Sequence, residues 1–249
     1  MAENTVKINA IVAKSVQSGE NDRTLTLLSP EMGKLTVIAK GVRSLKHQSR
    51  SSCMPLSYSS FVLKKIKDGF YSLVSADLIE SFRSLSEDVV LLSYGAYFAD
   101  LCRIAVQSGI EADEEIRLLL NTLFVLTKRP DSPELIKTVY ELKLMELCGI
   151  MPEFAPECPC GENAEYFSLS DGEVRCREHR DESSEIISPA ALKLAIYISE
   201  NNLKDALFAN ADNRLGHELS KITEPFWAYH LGNLPDSLSY LRKISKNLQ

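Results

Sequence analysis

The 249-residue chain has no window of 18 consecutive apolar residues, which excludes a membrane-spanning helix. Residues 1–7 are polar, with no apolar run behind a positive end. A secretory leader is therefore not expected, and the cytoplasm is the expected compartment. Histidine is scarce: His47, His179, His217 and His230 are scattered, and they suggest no catalytic triad. There is no H-E-x-x-H, no H-x-E followed by P-C-x-x-C, and no G-x-x-x-x-G-K-[ST]. Zinc hydrolase, nucleic-acid deaminase and phosphate-loop chemistry thus lack their residues, and an enzyme is not expected. No internal repeat or low-complexity segment is visible.

The net charge of −6 by itself argues against a nucleic-acid partner, but its distribution argues otherwise. Residues 1–80 carry eleven Lys and Arg against seven Asp and Glu, a balance of +4. Residues 81–249 carry seventeen against twenty-seven, a balance of −10. The two parts differ in sign and are expected to meet different partners.

The first 80 residues read as strands, at 7–13, 24–27, 34–39, 61–66 and 70–74, with alternating or β-branched apolar positions. Lys67-Asp68-Gly69 is a hairpin turn, and Pro30 and Gly33 bracket another. Five short strands suit a small barrel and are too few for a sandwich. Beyond residue 81 the pattern turns helical. Ser84-Leu85-Ser86-Glu87 resembles a capping box that opens a helix reaching about Val106. Further helices are expected at 113–128, from Ser132-Pro133 to Gly149, from Ser188-Pro189 to Glu200, at 213–231 and at 235–246. The expected class is α+β: an N-terminal five-stranded barrel at 1–80, then an all-helical domain at 81–249 with an insertion at about 151–187.

Of the six cysteines, Cys53, Cys102 and Cys148 sit singly, and Cys102 and Cys148 read as small core residues. The other three lie in the insertion, as Cys158-Pro159-Cys160-Gly161 and, fifteen residues on, Cys176-Arg177-Glu178-His179. Two tight pairs at such a separation form a usual structural zinc site, so Cys158, Cys160, Cys176 and His179 are the expected ligands of one Zn²⁺. All four positions are then filled by protein, which leaves no place for a reacting water. Tyr166, Phe167 and Leu169 ahead of Asp171-Gly172 predict a short hairpin between the pairs. The first pair is tighter than Cys-x-x-Cys. The alternative is a degenerate knuckle that binds nothing and packs through its aromatics.

Residues 40–50 place Lys40, Arg43, Lys46 and Arg50 three to four apart with no acid among them. Cations so spaced neutralise phosphates and release counterions, giving salt-sensitive, sequence-tolerant binding. Lys14, Arg23 and Lys34 lie near strand ends or turns of the same barrel and join the candidate DNA-binding set. Tyr58, Phe61, Phe70 and Tyr71 either stack bases or fill the core. Read without its context, the stretch is equally a solvated loop.

Three pieces in order carry a resemblance: Gly19-Glu20-Asn21-Asp22-Arg23, Gly33-Lys34-Leu35, and Ala39-Lys40-Gly41-Val42-Arg43. Together they resemble the N-terminal signature of the bacterial RecO family, and the likeness extends over the whole chain. The resemblance implies an oligonucleotide-binding (OB) barrel followed by a helical domain with a zinc site. That family usually shows two Cys-x-x-Cys pairs; here the first is contracted and the second ends in His179. It implies binding of single- and double-stranded DNA, strand annealing, and work with RecR in loading RecA on DNA covered by single-strand-binding protein, at the nucleoid. It also implies that the helical domain takes the acidic C-terminal tail of that protein. Lys128, Arg129 and Lys137, a basic patch in the acidic part, are the candidates. Annealing needs no bond chemistry. It needs a cationic platform that leaves base edges free, and a flexible basic loop on a barrel meets both needs. The rival reading is a protein-only scaffold or regulator with a structural zinc.

Overall fold

The computed structural model describes residues 5–232 and 234–247. Five strands, β1 (Thr5–Gln17), β2 (Arg23–Ser29), β3 (Gly33–Ala39), β4 (Tyr58–Lys67) and β5 (Phe70–Glu80), close into a barrel in the order β1-β2-β3-β5-β4. Every pairing is antiparallel except β3 with β5. This is the expected oligonucleotide-binding barrel. The alternation that predicts β3 is literal: Gly33, Leu35, Val37 and Ala39 are buried, and the residues between them are half-exposed. Leu25, Leu27, Phe61 and Leu63 meet them in the core. Truncating one such leucine to alanine costs about 2–5 kcal/mol in a core of this kind. Strand β1 outruns the expected segment because a bulge between Val12 and Lys14 lets it bend and keep pairing with β2.

The helices are α1 (Arg83–Ser86), α2 (Val89–Ala105), α3 (Asp113–Lys128), α4 (Pro133–Leu147), α5 (Pro189–Glu200), α6 (Leu203–Leu207), α7 (Asn213–Leu231) and α8 (Asp236–Asn247). The expected capping box at Ser84 is not used. Phe82 adopts a left-handed conformation, α1 is a single turn, and Asp88 caps α2 through Val90 N at 2.7 Å and Leu91 N at 3.2 Å. Cys102 is buried as expected, whereas Cys148 stands exposed just past α4.

The chain divides into two compact units, and the division falls within α3. One unit holds the barrel and residues as far as Leu123, together with the chain from Ser239; the other is Phe124–Leu238. In the first, the β2–β3 turn is stitched to the α2–α3 link. Gly109 N donates to Met32 O at 3.0 Å, and Lys34 N to Gln107 O at 3.1 Å. Gly33 is required there: its φ is +61°, and a Cβ would stand 2.1 Å from Gln107 O.

In the second unit α4 packs on α7. Gly216 makes the approach possible, since a Cβ there would fall 2.7 Å from the backbone nitrogen of Leu135. Asn213 Oδ1, at the start of α7, accepts from Glu134 N at 3.1 Å and Leu135 N at 3.4 Å, so it caps α4 in place of Ser132. Between the two helices lies a buried polar cluster. Lys137 Nζ is 2.9 Å from Glu141 Oε1, 2.7 Å from Glu224 Oε1 and 3.0 Å from Ser220 Oγ. Thr223 donates to Glu141. Lys137 is 1% exposed, which corrects its expected place in a surface patch. A buried ammonium held by two carboxylates presents no charge to a ligand outside.

Candidate nucleic-acid interface and metal centre

The basic loop follows β3, and the chain builds it from consecutive turns. Ser44 N donates to Gly41 O, His47 N to Ser44 O, Arg50 N to His47 O and Cys53 N to Arg50 O, at 3.1–3.2 Å. Val42, Cys53 and Leu56 are buried beneath it. Ser49 Oγ accepts from Ala76 N at 2.9 Å, which ties the loop to β5. The stretch that reads as a flexible loop is thus a pinned stack of turns. Gly41 N donates to Asp22 Oδ1 at 2.8 Å and Arg43 N to Asn21 O at 3.1 Å, so the loop also grips the β1–β2 turn.

The seven candidate cations fall into two groups. Lys14, Lys40, Lys46 and Arg50 are exposed, and among the described residues no carboxylate pairs with any of them. The other three have internal bonds. Arg23 Nη1 donates to Ser15 Oγ at 2.9 Å. Arg43 Nη1 donates to the carbonyls of Gly19 and Glu20. Lys34 Nζ donates to Arg103 O at 3.1 Å, in the last turn of α2, where a cation meets the negative end of the helix. Lys34 opens β3 and Lys40 follows its end, so the seven-residue strand separates them by roughly 20 Å. The structure gathers Lys40, Lys46 and Arg50 on one loop. It places Lys14 on the barrel wall and Lys34 at the opposite end. Of the four aromatics, Phe61 and Tyr71 belong to the core, Tyr58 is half-buried, and Phe70 is exposed.

The cations of the β4–β5 hairpin, Lys64, Lys65 and Lys67, escaped the sequence reading, although Lys64-Lys65-Ile66-Lys67 stands in full view before its turn. Lys65 is paired with Asp68 at 2.6 Å, and this contact raises the lysine's pKa and lowers the carboxyl's.

In the second unit the four sequence-paired ligands converge. The Sγ atoms of Cys158, Cys160 and Cys176 and a ring nitrogen of His179 all lie within 4.8 Å of one another. Cys160 Sγ is 3.7 Å from Cys176 Sγ, and His179 Nδ1 is 3.2 Å from Cys176 Sγ and 4.0 Å from Cys158 Sγ. A tetrahedron with metal–sulfur arms of about 2.3 Å has edges of roughly 3.8 Å, so the donors stand where a four-coordinate ion needs them. Gly161, at φ +89°, turns the contracted pair; its N–H donates to Cys158 O at 2.8 Å. The Cys160 N–H directed at the Cys158 sulfur lowers that thiol's pKa. At Cys176 burial acts upward, but the N–H groups of His179 and Glu178 outweigh it, and its pKa also falls. Both shifts favour the thiolate that a metal binds, whereas the Cys160 thiol is pushed up, since the lowering by the Glu162 N–H is outweighed by burial and by the neighbouring Cys158 and Cys176 thiols. The cluster can hold a metal ion.

The expected hairpin is present as β6 (Tyr166–Ser168) and β7 (Glu173–Arg175), and a third strand, β8 (Ser184–Ile186), joins it. Phe167 packs on Phe154 at 5.3 Å and on Phe226 of α7 at 5.8 Å, which seats the knuckle on the helices. Asp181 accepts from Ser168 and Ser183, and these bonds hold its carboxyl at about 2. Of the partner-binding candidates, Lys128 lies over the exposed ring of Phe124 at 5.3 Å and Arg129 over that of Phe208 at 5.8 Å. Arg129 Nη1 also donates to Leu207 O at 2.6 Å.

Residues 1–82 match the family described as Recombination protein O N terminal, and residues 86–239 match Recombination protein O C terminal. The chain is 31% identical to the DNA repair protein RecO of Caldicellulosiruptor bescii, over 89% of this chain and 91% of that one. It is 29% identical to that of Acetivibrio thermocellus over 98% of both chains. It is 31% identical to that of Alkaliphilus metalliredigens over 96% of this chain and 99% of that one. With a closed five-stranded barrel, helices after it in the chain, and family matches over nearly its whole length, the chain belongs to the RecO family.

Proposed function

We propose that the chain is a non-enzymatic DNA repair protein that binds single- and double-stranded DNA, anneals complementary strands, and with RecR helps load RecA on DNA covered by single-strand-binding protein. It acts in the bacterial cytoplasm, at the nucleoid. DNA work falls to residues 1–80 and partner work to 81–249. One observation carries the reading: Lys40, Lys46 and Arg50 stand exposed on one pinned loop of an oligonucleotide-binding barrel, with no carboxylate paired to them among the described residues. Such cations take phosphates and leave base edges free, as annealing demands. Lys14 adds to them from the barrel wall, while Arg23, Lys34 and Arg43 shape the surface through their internal bonds.

Cys158, Cys160, Cys176 and His179 hold one structural Zn²⁺, and the ion serves folding, not reaction. The acidic tail of single-strand-binding protein docks at Lys128 and Arg129, where Phe124 and Phe208 offer apolar surface beside the charges. Lys137 has no part in it.

Fluorescence anisotropy with a labelled oligonucleotide over a salt series tests the DNA reading. Replacing Lys40, Lys46 and Arg50 by Ala should weaken binding severalfold. It should also flatten the log–log salt slope by about 2 on a single strand. An unchanged slope makes the loop a bystander. No affinity at low salt favours the protein-only scaffold.

A further inference from the structure

The basic loop carries one side chain that phosphate binding does not explain. Leu45 is 82% exposed, the most exposed large apolar side chain among the described residues. It stands at a corner of the turn in which His47 N donates to Ser44 O at 3.1 Å, and Lys46 holds the other corner. Isolated apolar residues are common on protein surfaces, so exposure by itself decides nothing. Place and rigidity decide here.

Val42 and Leu56, on either side of Leu45 in the chain, are buried, and Leu56 takes a left-handed φ of +64° in its buried position. Leu45 has no such outlet. Ahead of it, Gly41 N is held by Asp22 Oδ1 and Arg43 N by Asn21 O. Behind it, His47 Nδ1 accepts from Ser49 N at 3.2 Å, and Ser49 Oγ accepts from Ala76 N. Rolling the turn over to hide the leucine would break these bonds. Lys40, Lys46 and Arg50 share the loop, with no carboxylate paired to them among the described residues. A polyanion drawn to those cations is therefore brought against Leu45.

Phosphates offer a leucine nothing, and the broad apolar surface of DNA is the face of a base pair. Inside a duplex each such face is stacked. A wedge there must part and kink a step, at a cost of roughly 100-fold or more in affinity. Covering a leucine returns roughly 30-fold, so Leu45 does not open intact duplex. A bare single strand has no base pair to cover. Where duplex gives way to single strand, the last pair keeps one face free of a further pair, and phosphates continue past it for the cations.

We infer that Leu45 covers the last base pair at a junction of paired and unpaired DNA, so that the basic loop prefers such junctions to intact duplex and to bare single strand. This rests on the DNA-binding reading above and adds the form of DNA that the loop selects. Every partly annealed pair of strands contains that junction, so the preference keeps the loop where pairing advances.

The test uses the full chain and anisotropy with a labelled duplex bearing an oligo(dT) tail and with labelled oligo(dT). A closed circular duplex, which has no ends, serves as unlabelled competitor. Leu45→Ser should lower affinity for the tailed duplex by about 5-fold or more and leave the other two affinities unchanged. Leu45→Met should keep the preference, because it keeps an apolar side chain of similar size. 2-Aminopurine in the last pair should change its fluorescence when the unaltered chain binds, and should not with Leu45→Ser. Equal loss on all three DNAs, no loss on the tailed duplex, loss with Met as great as with Ser, or a 2-aminopurine response alike for both chains overturns the inference. If the unaltered chain binds no DNA, the DNA-binding reading itself falls and takes this one with it. If binding depends on Lys40, Lys46 and Arg50 but not on Leu45, only the inference fails.

Discussion

Lysines meet opposite fates in the two units. On the barrel, Lys40 and Lys46 stand in water with no ion pair among the described residues. In the helical unit, Lys137 is sealed between α4 and α7 against Glu141 and Glu224. The chain's charge balance foretells the contrast, since the part richer in acids has carboxylates to spare for a buried cation. The lesson concerns what a cation does, which depends on the carboxylates the fold brings to it and not on its rank in a basic stretch. A cation that is already satisfied holds the protein together, and one that is unsatisfied invites a polyanion.

The comparison breaks most visibly at the metal centre, where four donors of the acidic unit can take a positive ion in place of a lysine. Elemental analysis should find about one zinc per chain. Chelation, or Cys176→Ser, should unfold residues 151–187, since structural zinc contributes on the order of 10 kcal/mol to small knuckles. The measurement is limited proteolysis and thermal melting with and without chelator. Full stability in metal-free protein refutes the site and favours a knuckle held by Phe154, Phe167 and Phe226 alone.

A smaller effect separates Lys137 from the barrel lysines. Lys137→Ala leaves two buried carboxylates facing each other and should cost about 3–5 kcal/mol of stability by denaturant unfolding, with DNA affinity unchanged. Lys46→Ala should do the reverse, weakening DNA binding while stability moves by less than about 0.5 kcal/mol. Next comes the borrowed cap. Asn213→Ala removes the acceptor for Glu134 N and Leu135 N and should cost about 1 kcal/mol, whereas Ser132→Ala should cost less, because Ser132 makes no capping bond.

The smallest effect is a pH dependence at the knuckle. The folded pKa of Asp181, about 2, lies below the ordinary carboxylate value. Its contribution is therefore full above about pH 4 and is lost as pH falls through about 2. Asp181→Asn should remove that acid-side dependence from the melting curve, and a curve of unchanged shape would show that the Ser168 and Ser183 bonds contribute nothing.

Much of this was legible in the chain itself. The barrel strands, the knuckle hairpin and the ligand quartet follow from alternation, turn residues and cysteine spacing, all of which act over a few residues. The Ser84 capping box failed because Phe82 turns left-handed and Asp88 offers a cap at the next turn. Lys137 misled because a lysine four residues from a glutamate looks the same on a surface as in a core, until α7 covers it. Which of Tyr58, Phe61, Phe70 and Tyr71 stays outside was unreadable, since no local pattern states which residues of five strands stand side by side.

By itself, then, the order of residues determined the barrel strands, the longer helices, the sign of each part's charge and the donors for a metal. Tertiary structure alone decided which cations keep their charge for a ligand, which aromatic stays outside, and which helix end is capped from eighty residues away. The physical reason is one of range. Backbone preference and spacing act along the chain, while burial, ion pairing and strand register exist only after distant segments have met.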